Sequence, residues 1–139
     1  MALDGCGGSR LKRSLSPRGS GRRMNLEECL FCRIAKKEVV TDIVEERTEA
    51  IAFRDINPQA PVHVLIVPKE HIPSIKDLDK DRCGLLADIF SLINDIAVSE
   101  GISQTGYRVV VNTGEEAGQD IDHLHFHMLG GRFMKWPPG

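Results

Sequence analysis

Three histidines occupy alternate positions in the segment DHLHFHML, which covers residues 122–129: His123, His125 and His127. The chain has only five histidines, so composition alone does not account for this spacing. Three charged imidazoles so close together would repel one another, and we therefore expect neutral rings with specific partners. Neutral imidazole acts as a nucleophile, a general base or a metal ligand near pH 7. The spacing predicts a catalytic or metal-binding site.

A β-strand over this segment would bring the three rings together. Successive side chains of a strand point to opposite faces, so the histidines would share one face. Leu124, Phe126 and Met128 would share the other face and pack in the core. We therefore expect the last strand of the fold to carry the site.

The other elements follow from apolar periodicity and from turn residues. NLEECLFCRIAKKE, from Asn25, predicts a short helix with acids in its first turn, and TDIVEERTEAIAFRD predicts two short strands. VHVLIVP (62–68) and GYRVVVNTG (106–114) each predict a strand. The clearest helix lies in DLDKDRCGLLADIFSLINDIAVSEG, where apolar residues recur at helical spacing up to Gly101. One long helix packed on a mainly antiparallel sheet is an α+β fold.

Length and charge limit the function classes. The 139 residues predict one domain, without an apolar run near the roughly 18 residues that span a bilayer. Residues 1–23 carry six Lys or Arg against one acid, which leaves 12 basic and 19 acidic residues in the remainder. Such an acidic domain is not expected to bind nucleic acid or a membrane surface, and local donors must hold any phosphate.

Four cysteines do not form a disulfide framework, which favours a reducing, cytoplasmic location.

The first 23 residues predict a disordered basic tail, because they are rich in Gly, Ser and Arg and lack periodicity. They have no apolar region of the kind found in secretory signals. An Arg- and Ser-rich segment is also weakly typical of an organelle transit peptide. We favour a non-functional tail ahead of a second start at Met24, with the folded domain over residues 24–139.

The segment HLHFHML resembles the H-x-H-x-H-x-x signature of the histidine-triad nucleotide-binding proteins. AFRDINPQAPVHVLIVPKEHI, GYRVVVNTGEEAGQ and LGGRFMKWPPG are similar to the Hint branch, whose members are purine nucleoside phosphoramidases. The resemblance extends from about Cys29 to Gly139, and WPPG is its most branch-specific element. It implies a five-stranded antiparallel sheet with one long and one short helix, paired as a two-fold homodimer.

This resemblance implies a hydrolase that cleaves the P–N bond of AMP–amine conjugates without a required cofactor. His125 would attack the phosphorus and form a nucleotidyl-imidazole intermediate, which water then cleaves. His127 would contact the phosphate or the leaving group, and His63 and His123 complete the implied catalytic set. The alternative for His63 is a polar residue without a catalytic role on an apolar strand.

The resemblance also implies the nucleotide-binding residues. Asp55 would accept hydrogen bonds from the ribose, and Trp136 would border the neighbour's active site, unless the terminus simply frays. The apolar residues around the base are each equally compatible with ordinary core packing: Phe31, Ile34, Phe53, Ile56 and Leu65. The phosphate would be held by Asn112, Gly118, Gln119 and Asp120.

Asp120 departs from the vertebrate-type members, which usually carry Ser at this position. An ionised carboxylate can only accept hydrogen bonds, and it repels a phosphate unless it points away or pairs with a leaving ammonium group. The hypothesis is that Asp120 favours amine leaving groups that become cationic. Bacterial relatives tolerate an acid here, so the overall function is unaffected.

CLFC (29–32) is a C-x2-C pair that is suggestive of metal binding. The gaps to the next candidate ligands are too long for a small zinc finger. The resemblance implies a structural zinc, since several microbial members bind the metal through two cysteines, a histidine in the region of His71 and the first triad histidine, here His123. The alternative is a pair of buried free cysteines, Cys29 and Cys32, on a helix.

Two other functions are compatible with these residues. One is hydrolysis of dinucleoside polyphosphates, against which the WPPG ending counts. The other is a nucleotide-binding or scaffolding protein with little turnover, for which an intact histidine nucleophile would be unnecessary.

Overall fold

The structure, a computed structural model, describes residues 28–139, so the predicted tail over 1–23 and the start at Met24 lie outside it. The helices within this range are α1 (Leu30–Ala35) and α2 (Cys83–Ser99). The strands are β1 (Ile43–Glu46), β2 (Ala50–Arg54), β3 (Val62–Pro68), β4 (Tyr107–Val110) and β5 (Phe126–Gly130). They form one antiparallel sheet in the order β1-β2-β3-β5-β4, which confirms the predicted α+β fold.

The sheet separates two apolar cores, because alternate residues of β2 and β3 point to opposite faces. Ala50, Ala52, Val64 and Ile66 pack against α2, together with Phe126 of β5. The next residues along the same strands, among them Ile51 and Leu65, pack against α1. The smaller core under α1 lies on the face that the triad histidines share.

The long helix α2 forms as its periodicity predicts. Its buried residues lie three or four positions apart, which places them on one stripe of the helix. Gly101 follows the last turn at a φ of +75°, a conformation that favours glycine and ends the helix. The buried residues are Leu85, Ile89, Leu92, Ile93, Ile96 and Ala97.

Three element boundaries differ from the sequence prediction. The short helix begins at Leu30, with the Cys29 side chain as its N-cap, and its first turn contains no acid. The strand predicted from Asp122 begins only at Phe126, because the Leu124 N–H pairs outside the sheet, with the Ile72 carbonyl at 2.6 Å. The predicted strand over 106–114 is shorter and ends at Val110. His123 and His125 therefore lie on the segment that leads into β5, and His127 lies in the strand.

Among residues 28–139 no helix has the length and apolar character that a membrane crossing requires.

Candidate active site

The adjacent strands β3 and β5 position two histidines side by side. His127 pairs in register with Leu65, two residues from His63. The rings meet on the α1 face of the sheet, where His63 Nε2 lies 2.9 Å from His127 Nδ1. A carboxylate oxygen of Asp55, just after β2, lies 3.4 Å from the same His63 nitrogen. We call Asp55, His63 and His127 the relay cluster.

A backbone group fixes the proton positions in the relay cluster. The Gln59 N–H donates to His63 Nδ1 at 3.0 Å, so that nitrogen carries a lone pair and the neutral ring carries its proton on Nε2. His63 Nε2–H then donates to His127 Nδ1. The neutral His127 ring consequently holds its own proton on Nε2, where it is available to a ligand.

His125 has the opposite tautomer. Its Nδ1 lies 2.7 Å from the His123 carbonyl, which can only accept, so in the neutral ring the proton is on Nδ1 and Nε2 keeps a lone pair. The ring is buried, and its centroid lies 5.1 Å from that of Phe31 and 5.0 Å from that of His127. The nearest carboxylate is that of Asp120, 3.8 Å from Nε2. A neutral imidazole held in this tautomer is prepared for nucleophilic attack.

Burial keeps the relay histidines neutral. It lowers the pKa of His63 below its usual value, and the nearby Asp55 carboxylate offsets part of this effect. It also lowers the pKa of His127, where the neighbouring His125 and His63 rings act in the same direction. Both rings are therefore neutral near pH 7, as their hydrogen bonds require.

A second group of side chains lies beside the first and consists of Cys29, Cys32, His71 and His123; we call it the Cys2His2 cluster. Its four ligand atoms lie within 4.8 Å of one another. His123 Nε2–H donates to the Pro68 carbonyl at 2.8 Å, which leaves the Nδ1 lone pair 3.4 Å from Cys29 Sγ and 3.5 Å from Cys32 Sγ. His71 Nδ1 lies 3.2 Å from Cys32 Sγ. Two thiols and two imidazoles in this arrangement are a donor set that zinc prefers.

Burial also determines the protonation of this cluster. It lowers the pKa of His123 to about 4, so the ring is neutral at pH 7. It raises the pKa of the Cys32 thiol to about 11, and the adjacent Cys29 acts in the same direction. A divalent cation would reverse the effect on the thiol, because it favours the thiolate.

The apolar residues predicted around the base separate into two groups. Phe31, Ile34, Phe53 and Leu65 are buried in the core under α1, and Phe31 touches the His125 ring. Ile56 differs, because it is 97% exposed on the loop after β2. A role for Ile56 in base binding therefore requires the ligand to cover it.

The loop after β4 contains the residues predicted to bind phosphate. Asn112 is half-buried there, and Gly118 has a φ of +83°. The Gln119 side chain accepts from Gly114 N–H and donates to the Pro73 and Ile121 carbonyls, so it braces the loop. The Gln119 N–H donates to the Gly114 carbonyl at 3.1 Å and the Gly118 N–H donates to the Glu115 carbonyl at 3.0 Å, so the backbone donors of both residues are already paired within the loop.

Trp136, predicted to border a neighbour's site, is 81% exposed, and the Arg108 guanidinium lies 6.0 Å from the centre of its ring.

Sequence reasoning missed the groups that orient the histidines. They are the Gln59 N–H, the Pro68 carbonyl and the Arg132 side chain, whose Nε donates to the Gln59 carbonyl at 3.1 Å. The first two are backbone groups: any residue supplies the carbonyl, and any residue except proline supplies the N–H. Only Arg132 carries a side-chain signal, and its partner is a backbone atom distant in sequence.

Comparison with known proteins identifies relatives over most of the chain. Residues 28–136 match the family described as "Scavenger mRNA decapping enzyme C-term binding". The purine nucleoside phosphoramidase of Escherichia coli is 42% identical over 106 residues, which are 76% of this chain and 89% of that protein. An uncharacterised HIT-like protein of Synechococcus elongatus is 43% identical over 113 residues, 81% of this chain and 98% of the relative.

Solved structures agree with these sequence matches. A HIT family hydrolase from Legionella pneumophila has a TM-score of 0.79 and 50% identity, and the match covers 80% of this chain and 99% of that one. A histidine triad protein from Clostridium difficile has a TM-score of 0.77 and 40% identity, with 81% and 97% covered.

Proposed function

The chain belongs to the histidine-triad family, in its Hint branch, and we propose that it is a nucleotidyl hydrolase that cleaves the P–N bond of purine nucleoside 5′-phosphoramidates such as AMP–amine conjugates. The observation that carries the proposal is the fixed tautomer of His125, whose Nδ1–H is held by the His123 carbonyl at 2.7 Å. A buried imidazole with a free Nε2 lone pair is suited to attack phosphorus. The E. coli relative, a purine nucleoside phosphoramidase, supports the choice of substrate.

In the first step the His125 Nε2 lone pair forms a bond to phosphorus while the P–N bond breaks. The leaving nitrogen takes the bond's electron pair and needs a proton, because an amide anion is a poor leaving group. The donor is His127 Nε2–H of a relay cluster that binds one proton together with the anionic substrate, because the nearby negative charge favours the imidazolium form. Giving up this proton leaves His127 and His63 neutral and joined by their hydrogen bond. The amine departs neutral, and the nucleotide is joined to a His125 ring that still carries its Nδ1 proton.

In the second step water attacks the phosphorus of this intermediate. The Nε2–P bond breaks, and its electron pair returns to Nε2. The relay accepts the proton that water releases, which restores the protonated relay with which the cycle began. AMP is the product, and no redox or metal chemistry is needed.

The nucleotide-binding roles remain proposals that the positions support. Asp55 follows β2 and its Oδ1 accepts from the Asn57 N–H at 2.8 Å, so the carboxylate is fixed in direction beside the relay, where a ribose can donate to it. The Asn112 side chain would hold the phosphate. The Gly118 and Gln119 N–H groups would join it only by giving up their bonds to the Glu115 and Gly114 carbonyls. The hydrophobic surface of Phe31 would border the base.

The Cys2His2 cluster is proposed to hold a structural zinc ion. Its donor set fits this metal, and the lone pair of His123 Nδ1 already faces both thiols. When bound, zinc would crosslink α1 to the segment that carries the nucleophile. A two-fold homodimer and a cytoplasmic location are further proposals, based on the resemblance and the sequence.

The test is steady-state hydrolysis of an adenosine 5′-phosphoramidate by the native chain and by His125→Asn. We expect the variant to lose at least about 1,000-fold in kcat and to bind AMP as the native chain does. Unchanged AMP binding shows that the variant is folded. Tight AMP binding by the native chain without turnover would overturn the proposal and indicate a nucleotide-binding protein, and faster turnover of a dinucleoside polyphosphate would indicate the alternative hydrolase.

A further inference from the structure

The segment that carries the nucleophile has an unusual charge for a protein that would bind a phosphate. Residues 109–131 include four acids, Glu115, Glu116, Asp120 and Asp122, and no Lys or Arg. This segment contains both the predicted phosphate loop and the triad histidines. Its negative field opposes a polyanionic substrate and attracts a cationic one.

Asp120 brings this charge closest to the reacting atoms. Its Oδ1 lies 3.8 Å from His125 Nε2, so the carboxylate does not point away from the site. Its side chain is 80% exposed, and in the described part of the chain the approach to His125 is its one contact within 4 Å of a basic side chain. Asp55, by comparison, is 18% exposed and accepts from Asn57 N–H. Asp120 is therefore the carboxylate free to contact a substrate.

A carboxylate at this position cannot donate to the phosphate or to the scissile nitrogen, because it only accepts. Phosphorus must come within bonding distance of Nε2, so a flexible chain on the leaving amine can reach Asp120. A leaving amine with a second, protonated amino group offers the carboxylate a partner of opposite charge. That remote ammonium stays protonated throughout, while the scissile nitrogen takes its proton from His127.

We propose that Asp120 makes the enzyme selective for nucleoside phosphoramidates whose leaving amine carries a second, positively charged amino group, that is, conjugates of diamines. This inference rests on the proposed function and specifies its substrate class. Asp120 acts as a specificity residue, through attraction to the remote ammonium group.

The experiment uses the full chain and two AMP conjugates of similar size, one with 1,2-diaminoethane and one with propylamine. The ratio of their kcat/KM values measures the charge preference. Comparing this ratio between the native chain and Asp120→Asn cancels the intrinsic reactivity of each substrate. We expect the ratio to fall about fivefold in Asp120→Asn, equivalent to about 1 kcal/mol for an exposed charge pair near 4 Å.

Glu116→Gln is the matched control, because it removes the same charge from an exposed residue of the same loop. We expect this variant to change the ratio by less than about twofold, since screening weakens more distant charges. An unchanged ratio in Asp120→Asn, or an equal change in both variants, would overturn the assignment to Asp120. Failure of the proposed function gives a different result, since the native chain would then hydrolyse neither conjugate.

Discussion

The Cys2His2 cluster and the relay cluster each bring ligand-type side chains within 4.8 Å of one another, yet their protons are arranged in opposite ways. In the first, the Pro68 carbonyl holds the Nε2 proton of His123, so a lone pair points at two thiols. In the second, the Gln59 N–H occupies the Nδ1 lone pair of His63, so a proton lies between His63 and His127. The first arrangement leaves room for a cation, and the second is already filled by a proton.

This difference shows that side-chain composition alone does not distinguish a metal site from a proton relay. A metal in the relay cluster would need the lone pair of His63 Nε2, and the ring would then have to give up its bond from Gln59 or become an anion. In His63, His123 and His125, the backbone partner of one nitrogen determines the role of the other.

The two clusters are connected through a single residue. The side chain of His123 belongs to the Cys2His2 cluster, while its carbonyl fixes the tautomer of His125. A metal that anchors the His123 ring would also hold the carbonyl that prepares the nucleophile. The two clusters should therefore be separable in metal binding and only partly separable in activity.

Among the variants that test the difference between the two clusters, Cys32→Ser should have the largest effect on metal content and stability. It removes one of the four proposed zinc ligands. We expect zinc content, measured by mass spectrometry of the purified protein, to fall from one ion per chain to nearly none. The unfolding temperature, measured by calorimetry, should fall by about 15 °C, because tightly bound metal contributes about 4 kcal/mol. Activity should fall as well, since the His123 carbonyl loses its support. A variant that retains its zinc would contradict the assignment.

The apolar pattern of the sequence was sufficient to predict the five strands and α2, because the apolar run of β3 and the helical spacing in α2 are local signals. The start of β5 was predicted four residues too early, since the pairing of Leu124 with Ile72 depends on a distant loop. The same limit applies to the site. Sequence reasoning named the histidines and cysteines that the fold brings together, but their proton positions depend on Pro68 and Gln59 backbone groups, which have no signature in residue type.

The next largest effect should come from His63→Phe, which keeps an aromatic ring and removes both nitrogens from the relay. We expect kcat to fall about 100-fold, because His127 loses the donor that fixes its tautomer. Zinc content should stay at one ion per chain, so that the two clusters respond independently. If this variant loses its zinc or keeps full activity, the two clusters do not have the separate roles, metal binding and proton transfer, that their proton positions indicate.

Acidification should destabilise the relay cluster. The pKa values of His63 and His127 in the folded chain lie below the ordinary value of 6.5, so the unfolded chain binds more protons just below that pH. Stability should be constant above pH 7 and fall as pH drops below 6.5, by at most about 1.4 kcal/mol per pH unit for each histidine. Urea unfolding at pH 7.5 and 5.5 measures the total loss, to which His123 and His71 also contribute because burial lowers their pKa values too. The share of the relay cluster is the part of the loss that disappears in His127→Phe. An equal loss in this variant would assign the effect to other groups.

The smallest effect should come from Arg132→Gln, which tests whether the relay depends on the C-terminal segment. Arg132 Nε donates to the Gln59 carbonyl, and at Gly131 a Cβ would lie 2.9 Å from Pro61, so this segment runs against the loop that orients His63. The hydrogen bond is exposed and contributes about 1 kcal/mol or less, so we expect kcat to fall about two- to fivefold.

Lys135→Gln, which removes a cation from the same segment, should leave kcat unchanged. Nitrogen-15 spectra of the histidine rings provide the deciding readout. If Arg132 positions the relay, the His63 ring should become a mixture of tautomers in Arg132→Gln. Lower activity with an unchanged His63 spectrum would instead place Arg132 in direct contact with the substrate.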